Sequence, residues 1–302
     1  LSDLIPGAVA GPLDGKNFEA TWYGDYLQAH LLTDIGLKRQ KNEDSCLMCA
    51  PNNPVLADER GVLFSVADGM GGASAGEFAS RMSLRAMHQA YFNGPHAAIP
   101  PSLRDALVQA NQQVFEEAET NPEYSGMGTT VSAVLVIGGW AYIAQVGDSR
   151  VYLLREHSGI HQITEDHSLV AEQVRNGVIS EAEAENSSFK NLITRAVGIK
   201  ADVDVDLFAV RLEQGDTLLI CSDGLSNMVP NADIAECLSD GDLKAGTRKV
   251  VELALENGGT DNVTAVTIRV VDTPPRTPIQ PGAREIVLPS TSLWQRILNW
   301  FR

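Results

Sequence analysis

Apolar residues along this chain recur with two periods, and the switch between them marks the elements. Ala75, Phe78, Ala79, Met82, Ala86, Met87 and Tyr91 recur every three to four positions, which predicts an amphipathic helix over 73–91. The same spacing at Leu103, Ala106, Leu107, Ala110, Val114 and Ala118 predicts a second helix over 102–119, with Ser102 as its N-cap. Between and beyond these lie short apolar runs with strand character. One covers 61–67; runs over 130–137 and 140–146 flank Gly138-Gly139, a hairpin signal. Runs over 151–155 and 160–164 flank another turn, and 216–221 and 262–271 complete the set. Many antiparallel-looking strands with two long helices predict an α+β domain whose helices pack on sheets.

The pattern also divides the chain. Residues 1–26, rich in Gly, Ala and Pro, read as an irregular leader, and 27–272 as one dense domain without a break. Five prolines in 273–289 predict an extended linker. Residues 290–302 predict a short amphipathic helix. Leu293, Trp294, Ile297, Leu298, Trp300 and Phe301 fall on one face; Gln295, Arg296, Asn299 and Arg302 fall on the other. So apolar a face needs a partner, and so short a helix is unstable alone. Docking in a groove, on this chain or on a partner protein, is the favoured expectation. Contact with a membrane surface is the less favoured one.

Charge narrows the function. The chain has 39 acidic and 23 basic residues, a net charge of −16. A nucleic-acid binder needs a basic surface to displace counterions, so that class is excluded. Broad adhesion to anionic membranes is disfavoured for the same reason. The basic residues are also unevenly placed: 273–302 carry +3 against −19 on the rest. No apolar run approaches the roughly 20 residues that span a bilayer, and no signal-peptide pattern opens the chain. Four cysteines make no disulfide scaffold, and Cys46 and Cys49 form a lone CxxC in a strand-like segment. Neither Cys221 nor Cys237 completes a zinc site by spacing, so ordinary thiols in a reducing, cytoplasmic setting are expected.

The candidate chemistry lies in single aspartates at the ends of apolar runs. Asp68 follows LFSVA and precedes Gly69-Met70-Gly71-Gly72; Asp148 follows YIAQVG; Asp223 follows TLLICS and precedes Gly224. Asp261 precedes the run VTAVTIRVV across Asn262, and Glu43-Asp44 precede another strand-like segment. Any one Asp-Gly pair is most simply a β-turn; several acids at buried strand ends are not. Buried carboxylates need a counter-charge, and few basic residues lie nearby in sequence. An all-oxygen set without His or Cys favours Mg²⁺ or Mn²⁺ over zinc.

Taken together and in order, these segments resemble the bacterial protein phosphatase 2C type, the metal-dependent Ser/Thr phosphatases. The residues that carry the resemblance are Arg39-xxx-Glu43-Asp44, Val66-Ala-Asp68-Gly69-Met-Gly-Gly72, Ser125-Gly-Met-Gly-Thr-Thr130, Gly147-Asp148-Ser-Arg150, Ser222-Asp223-Gly224-Leu225 and Asp261-Asn262. The resemblance covers about 27–272 and implies a central antiparallel β-sandwich flanked by helix pairs, in four αββα layers. It implies two Mn²⁺ or Mg²⁺ ions, bridged by Asp68, with the Gly69 carbonyl on one and Asp223 and Asp261 on the other. Glu43 and Asp44 would orient waters, Arg39 would grip the phosphate, and Asp148 with Asp223 would serve a third, weaker ion. Thr129 and Thr130 would shape the core behind the site. The implied reaction is attack of a metal-activated water on phosphoserine or phosphothreonine. The implied partners are phosphorylated proteins and a Ser/Thr kinase that the enzyme opposes, and a monomer is expected.

Two departures stand out. Some eukaryotic relatives carry a histidine where this chain has Met70, so a histidine general acid is not expected there. A flap is expected near 165–200, between Asp166-His167-Ser168 and Arg195-Ala196-Val197-Gly198. It carries Asn186-Ser187-Ser188 where many bacterial members have a histidine. His167 is expected to make structural hydrogen bonds. A stress-type phosphatase acting on an anti-sigma-factor antagonist and a pseudophosphatase that only binds are the rival readings. The intact Arg39 and flap weigh against the first, and Asp68, Asp223 and Asp261 together against the second.

Overall fold

A computed structural model describes residues 6–72, 74–95, 98–185, 187–239 and 241–288. Among these residues, two sheets stack face to face. The seven-stranded sheet runs in the order β1 (Ala8–Gly11), β4 (Ser45–Cys49), β5 (Val62–Ala67), β8 (Val131–Ile137), β9 (Trp140–Val146), β12 (Asp206–Arg211), β15 (Arg284–Ile286). The six-stranded sheet runs β11 (Gly159–Gln162), β10 (Arg150–Arg155), β13 (Thr217–Cys221), β14 (Val263–Val270), β3 (Leu27–Asp34), β2 (Phe18–Tyr23). A two-stranded ribbon joins β6 (Gly69–Met70) to β7 (Gly128–Thr129). Pairing is antiparallel throughout except between β12 and β15.

Strand alternation builds three apolar layers. Along β8, Val134 and Val136 enter the core between the sheets, while Val131, Ala133 and Leu135 point outward. That outer face is covered by α2 (Ala75–Asn93) and α3 (Ile99–Thr120). Along β13, Leu218 and Ile220 face the inter-sheet core, while Leu219 and Cys221 face α7 (Asn231–Ser239) and α8 (Leu243–Glu256). Central strands buried on both faces read as continuous apolar runs, and the four-layer αββα architecture follows. Shorter helices are α1 (Pro54–Arg60), α4 (Leu169–Arg175), α5 (Glu181–Glu185) and α6 (Asp223–Ser226). The expected hairpin forms at Gly138-Gly139, both at positive φ (+60° and +79°).

Three expectations need correction. First, the irregular leader expected over 1–26 is not what its described residues, 6–26, form: β1 pairs with β4 and β2 with β3, one edge strand for each sheet. In β2, Phe18 and Trp22 turn to the inter-sheet core. Such short edge strands are specified by their partners rather than by composition. Second, Ser102 does not cap α3, which starts at Ile99 with Pro100 and Pro101 in its first turn, where a missing N–H costs nothing. The Ile99 N–H donates instead to Gln280 Oε1, far along the chain, at 2.7 Å. Third, 273–288 is extended but not a free linker. Thr277 N–H donates to the Gly138 carbonyl, Trp140 Nε1 to the Thr277 carbonyl and Gln280 N–H to the Tyr142 hydroxyl, and the strap ends as β15. The expected helix at 290–302 lies outside the described residues. Among those described, no helix is long and apolar enough to cross a membrane.

Cys46 and Cys49 lie in β4, as the strand-like pattern implied, and all four cysteines are buried and free. Burial pushes the thiols of Cys46, Cys49 and Cys221 up to about 12, so they are poor nucleophiles and poor metal ligands.

Candidate metal centre

One end of the sandwich gathers the acids. Asp68 directly follows β5, Asp148 follows β9, Asp223 follows β13, Asp261 stands just before β14 and Asp44 just before β4. Adjacent strands from both sheets therefore deliver carboxylates to a common edge. Asp68 lies well above the usual carboxylate range, first through burial, then through the charges of Asp44, Asp223, Asp148 and Asp261. Burial likewise raises Asp44 to about 7, although hydrogen bonds from Thr264 and Ser222 pull it down. Asp148 rises to about 8 through burial, with Asp223 and Asp166 adding to it. Asp223 is raised by burial and by Asp261, and a hydrogen bond with Asp68 partly offsets this.

Hydrogen bonds fix this edge from behind. Thr130 Oγ1 accepts from Asp68 N–H at 3.0 Å, and Thr129 Oγ1 donates to the Asp68 carbonyl at 2.8 Å. Both threonines are buried, in keeping with their expected place behind the site. Ser222 and Thr264 donate to Asp44 Oδ2 at 2.7 and 2.6 Å. Asn262 holds the preceding loop: its Nδ2 donates to the carbonyls of Ile35 and Lys41, and its Oδ1 accepts from Glu43 N–H. Ser222, Thr264 and Asn262 had no assigned role on sequence grounds. Ser222 and Asn262 sat inside recognised motifs, but a hydroxyl within the apolar β14 run gives no sequence signal of its partner.

The glycines after the aspartates are required by close approach. A Cβ on Gly69 would stand 2.2 Å from the Gly76 carbonyl oxygen and 2.6 Å from that of Glu43. On Gly224 it would stand 1.9 Å from the Asn262 carbonyl oxygen. Both positions let separate loops meet behind the carboxylates.

The rim carries Arg39 and Glu43. Arg39 Nη2 donates to Asp261 Oδ2 at 2.8 Å, and its Nη1 lies 3.8 Å from Glu43 Oε1. Its side chain is 46% exposed, so the fork faces the mouth of the site. Burial raises the Glu43 carboxyl, and Arg39 opposes that rise. Asp261 thus belongs to both the acidic edge and the arginine. On the flap side, His167 is buried. Its Nδ1 accepts from Gly147 N–H at 3.0 Å, and its Nε2 meets Asp206 Oδ2 at 3.0 Å. Both ring nitrogens are committed, in line with a structural role. Arg150 is likewise tied to Asp166, through Nη2 at 2.7 Å.

The donor set suits a hard divalent cation. All donors are oxygens, and burial first, then the charges of neighbouring acids, raises the proton affinity of Asp44, Asp68, Asp148 and Asp223. Among the described residues, no three His, Cys, Asp or Glu side chains close on one point as a finished ligand cage. Strongly hydrated cations need none, because one or two carboxylates hold them while water fills the shell.

An acidic, all-oxygen edge with an arginine at its rim, on a four-layer sandwich, fits the chemistry of a metal-dependent phosphatase. Comparison with known proteins agrees. The family described as Protein phosphatase 2C matches residues 38–257, and this chain belongs to it. The serine/threonine phosphatase stp of Listeria monocytogenes is 38% identical, over 80% of this chain and 95% of that one. Stp1 from Staphylococcus aureus superposes with a TM-score of 0.75 at 35% identity, covering 82% of this chain and 97% of its own. The PstP catalytic domain, solved in complex with two manganese ions, superposes at 0.70 with 35% identity, covering 82% and 99%.

Proposed function

We propose that Asp68, the Gly69 carbonyl, Asp223 and Asp261 hold two divalent cations, and that Asp148 with Asp223 serves a third, weaker one. The enzyme is a metal-dependent protein serine/threonine phosphatase. The observation that supports the assignment of residues is the shared strand-end edge to which β4, β5, β9, β13 and β14 bring Asp44, Asp68, Asp148, Asp223 and Asp261, where burial and then the charges of the other four hold the Asp68 carboxyl above its usual range. The cations, when bound, supply charge neutralisation and activation of water. Mn²⁺ is the favoured ion, since the PstP neighbour was solved with two manganese ions.

The chain's own groups do the rest. Arg39 exchanges Asp261 for phosphate oxygens, and its planar fork suits two of them at once. Glu43 and Asp44 orient water at the edge, and Thr264 and Ser222 aim Asp44 by holding one oxygen. With Met70 at the histidine position of some relatives and His167 committed to Gly147 and Asp206, the proton for the leaving Ser or Thr oxygen comes from water. The catalytic unit takes in the edge strands β1 and β2 and the strap through β15 as well as 27–272, with the flap near 165–200 beside the site. It acts as a cytoplasmic monomer on phosphorylated proteins, opposing a Ser/Thr kinase; four unpaired, buried thiols support a reducing compartment.

The test is hydrolysis of p-nitrophenyl phosphate and of a phosphothreonine peptide, with and without Mn²⁺. Metal-dependent release of phosphate from both is expected. Binding of the phosphopeptide without turnover would overturn the enzymatic reading in favour of a binding module.

A further inference from the structure

At the end of the sandwich remote from the acids lies a cavity of about 820 Å³. Its position follows from strand direction. It is lined by Val62, where β5 begins, and by Val136 and Ile137, where β8 ends. Asp68 and Thr130 lie at the other ends of those two strands. Trp22, Tyr26 and Leu27 complete its apolar wall, and the exposed Asp25 and Asp58 stand on its rim. The strap over 275–281 closes one side. The volume falls in the range of ligand pockets, roughly 300–1,000 Å³.

The described chain ends beside it. In β15, Ile286 pairs with Val210, which pairs with Ala141, which pairs with Val136 at the cavity wall. That is three strand spacings, about 14 Å. Leu288 packs into the same inter-sheet cluster as Trp22, Tyr26 and Val62. Residues 289–302 remain, and they carry Arg296 and Arg302 but no acid. Extended, 289–293 can reach about 17 Å. Helical, 293–302 would measure about 15 Å.

We propose that the C-terminal segment 289–302 docks in this cavity of its own chain. Its Leu293, Trp294, Ile297, Leu298, Trp300 and Phe301 face covers the wall of Trp22, Tyr26, Leu27 and Val62. Its two arginines meet Asp25 and Asp58. Reach, apolar match and opposite charge all select this segment. The docked tail holds the strap whose Gln280 supplies the α3 cap, so it braces the end of the fold opposite the active site.

The experiment uses the full chain with Leu298→p-benzoylphenylalanine, irradiated and mapped by mass spectrometry. Expected is an intramolecular cross-link to 22–27, 57–62 or 136–138. Combining Asp25→Arg with Asp58→Arg should reduce it several-fold, with the circular dichroism spectrum unchanged. Cross-links to other parts of the body would overturn the proposal. So would products with a second copy that grow with protein concentration, or with lipid in phosphatidylglycerol vesicles and none in cis. Absence of any product above the unirradiated control would overturn it equally.

Discussion

Arg39 and Asp261 form the most consequential residue pair, because each also has work to do elsewhere. The guanidinium lies on Asp261 Oδ2 at 2.8 Å while its side chain stays nearly half exposed. Under the proposed function, removing it deletes a phosphate contact, and it leaves Asp261 without its guanidinium partner. Arg39→Ala should raise KM for a phosphothreonine peptide roughly ten- to a hundredfold, the scale of one charge-assisted contact of about 1.5–3 kcal/mol. Some loss of kcat follows if the contact tightens in the transition state. Steady-state kinetics check this, and unaltered constants would remove Arg39 from the phosphate site. The acids behave differently, since each is dedicated to the edge. Asp68→Ala or Asp223→Ala should abolish Mn²⁺-dependent turnover while the fold persists, whereas Asp148→Ala should weaken turnover and leave the tight ions in place. Calorimetric Mn²⁺ titration decides, and undiminished tight binding by the Asp68 variant would defeat the assignment.

Among elements, the loop before β4 shows how strands and loops share one site. Residues 35–43 carry Arg39 and Glu43 but have no regular structure of their own around Arg39. Asn262, one residue before β14, holds that loop through three hydrogen bonds to Ile35, Lys41 and Glu43. Asn262→Ala should therefore loosen Arg39 and Glu43 while leaving the aspartates of the edge in place. A several-fold higher KM for phosphopeptide with nearly unchanged Mn²⁺ affinity is expected. A parallel loss of metal affinity would mean that Asn262 acts on the acids instead. The same division of labour explains the strap: Gln280 supplies α3 with the cap its own sequence lacks.

For the whole molecule, the acidic edge couples stability to pH. Without metal, burial and mutual charge hold Asp44 protonated up to about 7 and Asp148 up to about 8. In the unfolded chain both titrate near 4. The folded state thus binds more protons between about pH 4 and 8. Its stability falls as pH rises through that window and levels above it. Divalent cations take the protons' place, so their stabilising effect should be larger at pH 8 than at pH 5.5. Melting temperatures in chelator and in Mn²⁺ at the two pH values test this. An increment independent of pH would mean that the ions bind away from these acids.

The α2 and α3 periodicities, the β8–β9 hairpin and the double-faced strands were legible from local order, because helix and strand periods follow from backbone geometry. The aspartates that gather at one edge were legible too, since each stands at the end of an apolar run, whereas Arg39 was singled out only by the family resemblance. What tertiary structure alone decided is where separate segments meet. β1 and β2 became strands only through β4 and β3. Ser102 lost the cap to Gln280, and Asp44 found Ser222 and Thr264 far along the chain. Gly69 and Gly224 are glycines because other backbones press on them. Periodicity is a property of neighbours in sequence, so a chain displays it openly. Hydrogen-bond partners, edge pairing and mutual charge depend on distances that exist only after the layers have packed.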